Sequence, residues 1–122
     1  MGGKASERAK RVLIVEDETL VAMLLEDMLD DAGHTVAHCA SSLPQALSFI
    51  EADADAFDFA ILDVNLGGQP IFPVAEALRA RGKPFAFATG YGPGGLPDVW
   101  RDRPTLSKPF GASDVARVLD GG

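Results

Sequence analysis

Short apolar runs and stretches of helical periodicity alternate along almost the whole chain. Val12–Val15 is an unbroken apolar run, typical of a buried strand, and the next apolar positions, Leu20–Leu29, recur at helical spacing. Gly33 stands where a helix C-terminus is expected. The pattern predicts five strands, Val12–Val15, Thr35–Ala40, Phe59–Leu62, Phe85–Ala88 and Thr105–Ser107. It predicts helices around Leu20–Leu29 and Ala46–Ile50, over Pro73–Arg81 and Ala112–Leu119, and at most a short fourth helix within Leu96–Arg103.

Strict alternation of strand and helix determines the expected fold class. Strands that are apolar throughout are buried on both faces, as in a parallel sheet covered by helices. We therefore expect an α/β fold with a doubly wound, flavodoxin-like sheet in which the five strands, numbered along the chain, have the order 2-1-3-4-5. At 122 residues the chain is long enough for one domain, which we expect over residues 11–122 after a flexible leader, residues 1–10.

Composition limits the classes of binding partner and the cellular compartment that we expect for this chain. The formal net charge is -7, which argues against a nucleic-acid-binding surface, because such a surface must be basic to meet phosphates. Cys39 is the only cysteine, so no disulfide forms within the chain and a reducing compartment, the cytoplasm, is expected. No apolar run approaches the roughly 18 residues of a membrane span, so no membrane partner is expected.

The residues that directly follow the strands carry the candidate chemistry. In a doubly wound sheet, sites form outside the carboxyl ends of the strands. Carboxylates gathered there repel one another unless a cation lies among them, and hard oxygen ligands suit Mg²⁺. One carboxylate can accept a phosphoryl group, while a lysine and a threonine hydroxyl bind its oxygens. The residues in these places are, in chain order, Glu16, Asp17, Glu18, Asp63, Asn65, Thr89 and Lys108.

Four motifs give these residues a family resemblance. "VLIVEDE", "FAILDVNL", "FATG" and "LSKPF" occur in the order and spacing of a receiver domain of two-component response regulators, and the resemblance covers Arg11 to Asp120. More narrowly, "PFAFATGYG", "DVNLGGQP" and "LPDVWRDRP" resemble the FAT GUY receivers, mostly single-domain regulators common in alphaproteobacteria. The resemblance implies that Asp63 receives a phosphoryl group from a kinase phosphohistidine.

The resemblance also implies the other site roles. Glu16 and Asp17 hold Mg²⁺ together with Asp63 and the backbone carbonyl of Asn65. Thr89 and Lys108 bind phosphoryl oxygens, and the Lys108–Pro109 bond is expected to be cis. Two alternatives stay open at this point. The side chains of Asn65 and Tyr91 either tune hydrolysis of the phosphoryl group or are a loop residue and a surface residue, respectively.

Two departures from typical receivers concern the switch. Thr105 stands where typical receivers carry an aromatic residue that swings inward when the threonine moves, and Leu66-Gly67 replaces the usual Met-Pro pair. The expected switch residues are Thr89, Gly90, Tyr91, Lys108 and Pro109. We expect the Gly/Pro-rich tract, residues 90–97, to shift or order on phosphorylation, which hydrogen exchange with and without a phosphoryl mimic tests. The alternative is a passive connector.

The sequence thus predicts a stand-alone response regulator without an output module. Its partners would be a sensor histidine kinase or a histidine phosphotransfer protein and a downstream signalling protein. Its only catalysis would be its own phosphorylation and hydrolysis, so we do not expect an enzyme, and Asn65 in place of a second aspartate argues against a phosphatase. The FAT GUY resemblance implies stress signalling. The alternatives are a pseudo-receiver that binds without phosphate and a phosphate sink for a kinase.

Overall fold

The central sheet has the expected parallel topology. The structure is a computed structural model that describes residues 9–90 and 96–121. Its strands are β1 (Arg11–Val15), β2 (Thr35–Ala40), β3 (Phe59–Asp63), β4 (Asn65–Leu66), β5 (Gln69–Pro70), β6 (Phe85–Thr89) and β7 (Thr105–Ser107). The five strands of the main sheet pair in the order β2-β1-β3-β6-β7. β4 pairs with β5 in a separate small antiparallel hairpin. Since β6 and β7 are the fourth and fifth strands of the prediction, the order 2-1-3-4-5 and the flavodoxin-like fold are confirmed.

In the part of the chain that the structure describes, four α-helices follow the strands at the predicted places. They are α1 (Thr19–Asp31), α2 (Leu43–Ala52), α3 (Phe72–Ala80) and α4 (Ala112–Gly121), and short 3₁₀ turns cover Ala54–Ala56 and Asp98–Trp100. The Ser42 hydroxyl accepts a hydrogen bond from the backbone N–H of Gln45, which caps α2. Gly33, beyond the end of α1, has a positive φ of 89°, as a C-terminal glycine should. No helix among residues 9–90 and 96–121 is long and apolar enough to cross a membrane.

Two apolar layers cover the two faces of the sheet. Because successive strand residues point to opposite faces, Leu13 and Val15 pack with α2 and α3, while Val12 and Ile14 pack with α1 and α4. β3 and β6 are buried along their whole length, so the middle of the sheet is apolar on both faces. Polar groups are therefore confined to the ends of these strands.

Trp100 anchors the short segment that replaces a fourth helix of ordinary length. Its ring stacks on Phe72 and meets Phe85 and Phe87 edge-on, and only 3% of the residue is exposed. The Arg79 guanidinium covers the ring at 4.8 Å. Among the residues that the structure describes here, the 3₁₀ turn over Asp98–Trp100 agrees with the prediction of a short or irregular fourth helix.

Parts of two sequence predictions lie outside the described residues. They are residues 1–8 of the predicted leader and residues 91–95 of the Gly/Pro-rich tract, including Tyr91. Within the described part, not all of the apolar positions that recur at helical spacing in α1 are buried. Leu20 and Leu24 are 75% and 55% exposed, because Ala22, Leu25 and Leu29 form the buried face of the helix.

Candidate functional site

Three carboxylates meet at the carboxyl ends of two neighbouring strands. Glu16 and Asp17 directly follow β1, and Asp63 is the last residue of β3. These strands pair in register, with Val15 opposite Leu62, so the residues that follow them are brought side by side. One carboxylate oxygen from each of Glu16, Asp17 and Asp63 lies within 4.8 Å of the others. The structure therefore brings together the acid cluster that the sequence predicts.

Burial differs among the three acids. Glu16 and Asp63 are buried, with 3% and 6% of each residue exposed, whereas Asp17 is exposed. Burial, helped by the negative charge of Asp63, raises the pKa of Glu16 to about 7, although the Glu18 N–H that donates to the Glu16 carboxylate and the charge of Lys108 oppose the rise. Holding both buried groups as anions is costly without a cation.

Lys108 supplies one positive charge to this cluster. It directly follows β7, and its backbone N–H donates to the carbonyl oxygen of Thr89 at 2.9 Å. Its Nζ lies 3.4 Å from Asp63 Oδ1 and 3.5 Å from Glu16 Oε1. Burial lowers the pKa of Lys108, but the charges of Asp63 and Glu16 outweigh burial and raise it above its usual value. The Lys108–Pro109 bond is cis, as expected.

Thr89 closes the set of predicted side chains. It is the last residue of β6, it is buried, and it pairs in register with Ser107, the residue before Lys108. Asp63 pairs with Ala88, so Thr89 continues the sheet one position beyond the acid. The carboxyl ends of β1, β3, β6 and β7 thus place every predicted catalytic side chain at one edge of the sheet.

A pocket of about 320 Å³ opens onto this edge. The backbone N–H of Asn65 donates to Asp63 Oδ1 at 3.3 Å, and the β4–β5 hairpin that begins at Asn65 forms one wall. The pocket is lined by Asp17, Glu18, Asp63, Asn65, Gly67, Gly68, Gly90 and Lys108. Sequence reasoning did not identify the hairpin or its glycines as part of the site. The Gly67-Gly68 pair was the available signal, because such pairs favour two-residue hairpin loops.

The donor set fits magnesium. The cluster offers carboxylate oxygens, which are the ligands that Mg²⁺ prefers. Magnesium also keeps several waters, and an open pocket beside an exposed Asp17 leaves room for them. The residues present therefore fit a hydrated divalent cation.

An apolar groove adjoins the acid pocket. It has a volume of about 310 Å³ and is lined by Val21, Leu24, Met28, Lys108, Pro109 and Phe110. Lys108 borders both hollows, because its stem lies along the groove and its ammonium lies among the carboxylates. Leu20, Met23 and Leu24 on the neighbouring surface of α1 are all more than half exposed. Sequence reasoning assigned α1 only a structural role and missed this surface.

The two histidines lie away from the acid pocket. His34 precedes β2 at the opposite edge of the sheet, where its Nδ1 accepts a hydrogen bond from the Lys10 backbone N–H at 2.9 Å. His38 lies on β2, an outer strand of the sheet, and stacks on Phe49 with ring centroids 4.5 Å apart. Neither histidine is among the residues that line the acid pocket.

Comparison with known proteins matches this geometry. A family model described as the response regulator receiver domain matches residues 12–90. The chain is 46% identical to SdrG from Sphingomonas melonis Fr1, with a TM-score of 0.81 and coverage of 93% of this chain and 95% of that one. It is 28% identical to the REC domain of the PhyR response regulator from Erythrobacter litoralis, with a TM-score of 0.80 and coverage of 95% and 91%.

A curated relative is longer than this chain. The phyllosphere-induced regulator PhyR of Methylorubrum extorquens is 29% identical over 119 residues, which make up 94% of this chain but 44% of that protein. The chain therefore spans less than half of that relative. The shared sheet, the residues at its carboxyl edge and a family model that matches more than half of the sequence lead to one conclusion: the chain belongs to the response regulator receiver domain family.

Proposed function

We propose that this chain is a response regulator receiver that accepts a phosphoryl group on Asp63 and then signals through protein–protein contacts. The observation that carries the proposal is the position of Asp63. Its carboxylate lies between two other carboxylates and the Lys108 ammonium, at the mouth of an open pocket. Such an arrangement suits phosphoryl transfer, which depends on positioning and on neutralising the charge of the phosphoryl oxygens.

The proposed transfer uses the side chains as follows. A carboxylate oxygen of Asp63 forms a bond to phosphorus, the P–N bond to the donor histidine breaks, and the released imidazole takes up a proton from water. Lys108 and Thr89 would bind phosphoryl oxygens, because Thr89 ends β6, the neighbour of β3, and Lys108 follows β7, the next strand, at the same edge. Later hydrolysis releases phosphate and restores the carboxylate. We propose no catalysis beyond these two steps.

Glu16, Asp17 and Asp63 would hold magnesium through their side chains, and Asn65 through its backbone carbonyl. Magnesium, when bound, supplies positive charge that offsets the phosphoryl oxygens and the buried carboxylates. The residues of this chain orient Asp63 independently of the metal, since the Asn65 N–H and the Lys108 ammonium both contact Asp63 Oδ1.

We propose that the conformational response begins at Thr89 and Lys108 and passes to Gly90, Tyr91 and Pro109. Support comes from the hydrogen bond between the Lys108 N–H and the Thr89 carbonyl, which links the ends of β6 and β7. Thr105 is half-buried, and its hydroxyl donates to the carbonyl of Arg103. An aromatic switch at position 105 is therefore not available to this chain, which favours a response carried by the backbone after Thr89.

We further propose membership of the FAT GUY group, an alphaproteobacterial origin and a role in stress signalling. The "PFAFATGYG" motif and the similarity to SdrG support the subtype. Another protein similar to this chain carries the name PhyR stress response regulator, which supports the physiological role. The cytoplasmic location stays a prediction from the single cysteine, and the boundaries of the leader, residues 1–10, and of the receiver domain, residues 11–122, are likewise proposed.

The apolar face of α1 is the proposed docking surface for the phosphohistidine donor, a sensor kinase or phosphotransfer protein. Leu20, Met23 and Leu24 are exposed there, and the groove beside Leu24 continues to Lys108 and so to the acid pocket. A protein seated on this face would hold its histidine over the pocket mouth. Exposed apolar groups rimmed by charged residues such as Asp27 are typical of a protein–protein contact.

Leu24→Arg tests this docking surface. The variant should slow phosphoryl transfer from the purified cognate kinase by about tenfold or more. The reason is that a charge replaces an apolar side chain that the kinase would bury in the complex. Labelling by acetyl phosphate should stay at the wild-type rate, since a small donor needs no docking surface. Val99→Arg, which places the same charge at an exposed apolar residue on the Asp98–Trp100 turn, is the control. Equal rates of kinase transfer in the two variants would contradict the assignment.

The proposal as a whole is tested by incubating the protein with acetyl phosphate, with and without magnesium, and measuring the intact mass. Wild type should gain one phosphoryl group in the presence of magnesium, and Asp63→Asn should gain none. Asp27→Asn, which removes an exposed carboxylate on α1, is the matched control and should be labelled like wild type. Labelling of Asp63→Asn equal to that of wild type would refute the assignment of the acceptor.

The same measurement separates the alternatives. A pseudo-receiver would gain no phosphoryl group from acetyl phosphate or from a kinase. A phosphate sink would be labelled, but its downstream partners would bind the phosphorylated and unphosphorylated forms equally. Retention of the acid cluster around Asp63 and Lys108 favours a working acceptor over a pseudo-receiver.

A further inference from the structure

The hairpin directly after Asp63 is held rigidly against the acid pocket. Its turn residues, Gly67 and Gly68, have φ values of 59° and 85°, both positive, as a two-residue loop of type I′ requires. Leu66 is buried in the core on one side of the turn. On the other side, the N–H of buried Ile71 donates to the carbonyl of Val64 at 3.1 Å. The position of the turn is therefore fixed by core contacts at both of its ends.

Only one of the two turn glycines faces the acids. A Cβ atom at position 67 would lie 3.7 Å from Asp17 Oδ2, whereas a Cβ atom at position 68 would meet nothing within 4 Å. Both glycines line the same pocket. A side chain longer than one carbon at position 67 would therefore extend into the space beside Asp17, and the same side chain at position 68 would not contact Asp17 through its Cβ.

Space beside Asp17 matters for a hydrated cation. Magnesium gives up its waters reluctantly and usually keeps several of them when it binds one or two carboxylates. Asp17 is the exposed member of the acid cluster and lines the pocket together with Gly67, so the waters of a bound cation would share this pocket with any side chain at position 67. A side chain at position 67 would compete with these waters for volume.

We propose that Gly67 is a position that determines the magnesium affinity of the acid cluster. Its missing side chain reserves the space beside Asp17 for the water shell of magnesium, and the hairpin fixes that space. The inference rests on the proposed function, because it takes Asp17 as a magnesium ligand. It adds a role for the β4–β5 hairpin, which stands where typical receivers carry the Met-Pro pair.

Gly67→Asn and Gly68→Asn form a matched pair for the test. Asparagine tolerates positive φ better than most residues, so the two variants should carry a similar backbone cost. Isothermal titration of the full chain with magnesium chloride should show a dissociation constant at least about tenfold higher for Gly67→Asn, as for changes around other metal ligands. Gly68→Asn should bind like wild type. Thermal unfolding in EDTA checks that both variants are folded, and Gly67→Ala and Gly68→Ala repeat the comparison with a smaller side chain if either is not.

An Asp17→Asn arm separates this inference from the proposed function. If wild type binds magnesium, Asp17→Asn does not, and the two asparagine turn variants bind equally, the inference is overturned and the proposed site stands. An equal loss in both turn variants also overturns it, because the loss then comes from the backbone of the turn. Absence of binding by wild type overturns both.

Discussion

Charged side chains are arranged differently at the two ends of the strands of the central sheet, the carboxyl edge and the amino edge. At the carboxyl edge, Glu16, Asp17 and Asp63 gather around the single ammonium of Lys108, so that negative charge is in excess. At the amino edge, the cations of Arg11 and Lys83 each have a partner of their own. The Arg11 guanidinium pairs with Asp58 at 2.9 Å, and the Lys83 ammonium donates to the carbonyl of Phe57 at 2.8 Å.

Aromatic rings reinforce the amino edge. The Lys83 ammonium lies 5.1 Å from the centroid of the Phe57 ring, and the Arg103 guanidinium lies 4.5 Å from the centroid of the Phe85 ring. Each contact is a satisfied cation–π pair that needs no further ligand. The carboxyl edge offers no such balance, since burial and like charge raise the pKa of Glu16 to about 7. The difference teaches that the edge with unbalanced charge is the one suited to bind a cation and a phosphoryl group, whereas the balanced edge holds the fold together.

The largest expected effect contrasts a lysine at each edge. Lys108→Met should slow labelling by acetyl phosphate by about a hundredfold, because it removes a charge that faces the transferred group. Lys83→Met should leave the labelling rate unchanged, since Lys83 contacts only structural groups at the amino edge. The rates come from intact mass against time in saturating magnesium. Equal slowing in both variants would contradict the conclusion that only the carboxyl edge takes part in phosphorylation.

A smaller expected effect, the pH dependence of stability that comes from His34, tests the structural role of the amino edge. Burial lowers the pKa of His34 below its usual value, the charge of Lys10 acts in the same direction and Asp120 opposes it. The unfolded chain therefore takes up a proton at His34 as the pH falls through about 6.5, before the folded protein does. The stabilisation from neutral His34 is complete above that pH and is lost as the pH falls from there towards the lower folded pKa.

Urea unfolding at several pH values between 5 and 8, in EDTA, measures this loss. The free energy of unfolding of His34→Gln should depend less on pH than that of wild type, because the variant has no imidazole at this position. His38→Gln, which changes the histidine on β2, should keep the wild-type dependence. Identical pH dependence in wild type and His34→Gln would show that the buried imidazole does not govern acid stability.

Much of the fold could be predicted because local patterns and global topology agree. The apolar runs of β3 and β6 are short, uninterrupted and separated by a helical period, and few folds besides a covered parallel sheet bury such strands. Ser42 and Gly33 mark helix ends through local hydrogen bonding and backbone preference, which depend little on distant residues. The right-handed crossover rule leaves few topologies, and the flavodoxin-like order is the one among them that suits a chain of this length.

The exposed face of α1 could not be predicted from periodicity alone. Leu20 and Leu24 have the spacing of a buried stripe, yet the helix turns Ala22, Leu25 and Leu29 towards the sheet. Which of two overlapping apolar stripes is buried depends on how the helix packs against β-strands and against α4. That choice is made by tertiary contacts and leaves no separate mark on the sequence.

By itself, the sequence determined the order of the elements and the set of residues at the carboxyl ends of the strands. A strand ends where its apolar run ends, so Glu16, Asp63, Thr89 and Lys108 are tied to one edge by the pattern itself. The tertiary structure decided the distances among those groups and hence the raised pKa of Glu16. It also decided that the turn at Gly67 faces Asp17, because two residues fifty positions apart in the chain meet only when β1 and β3 pair.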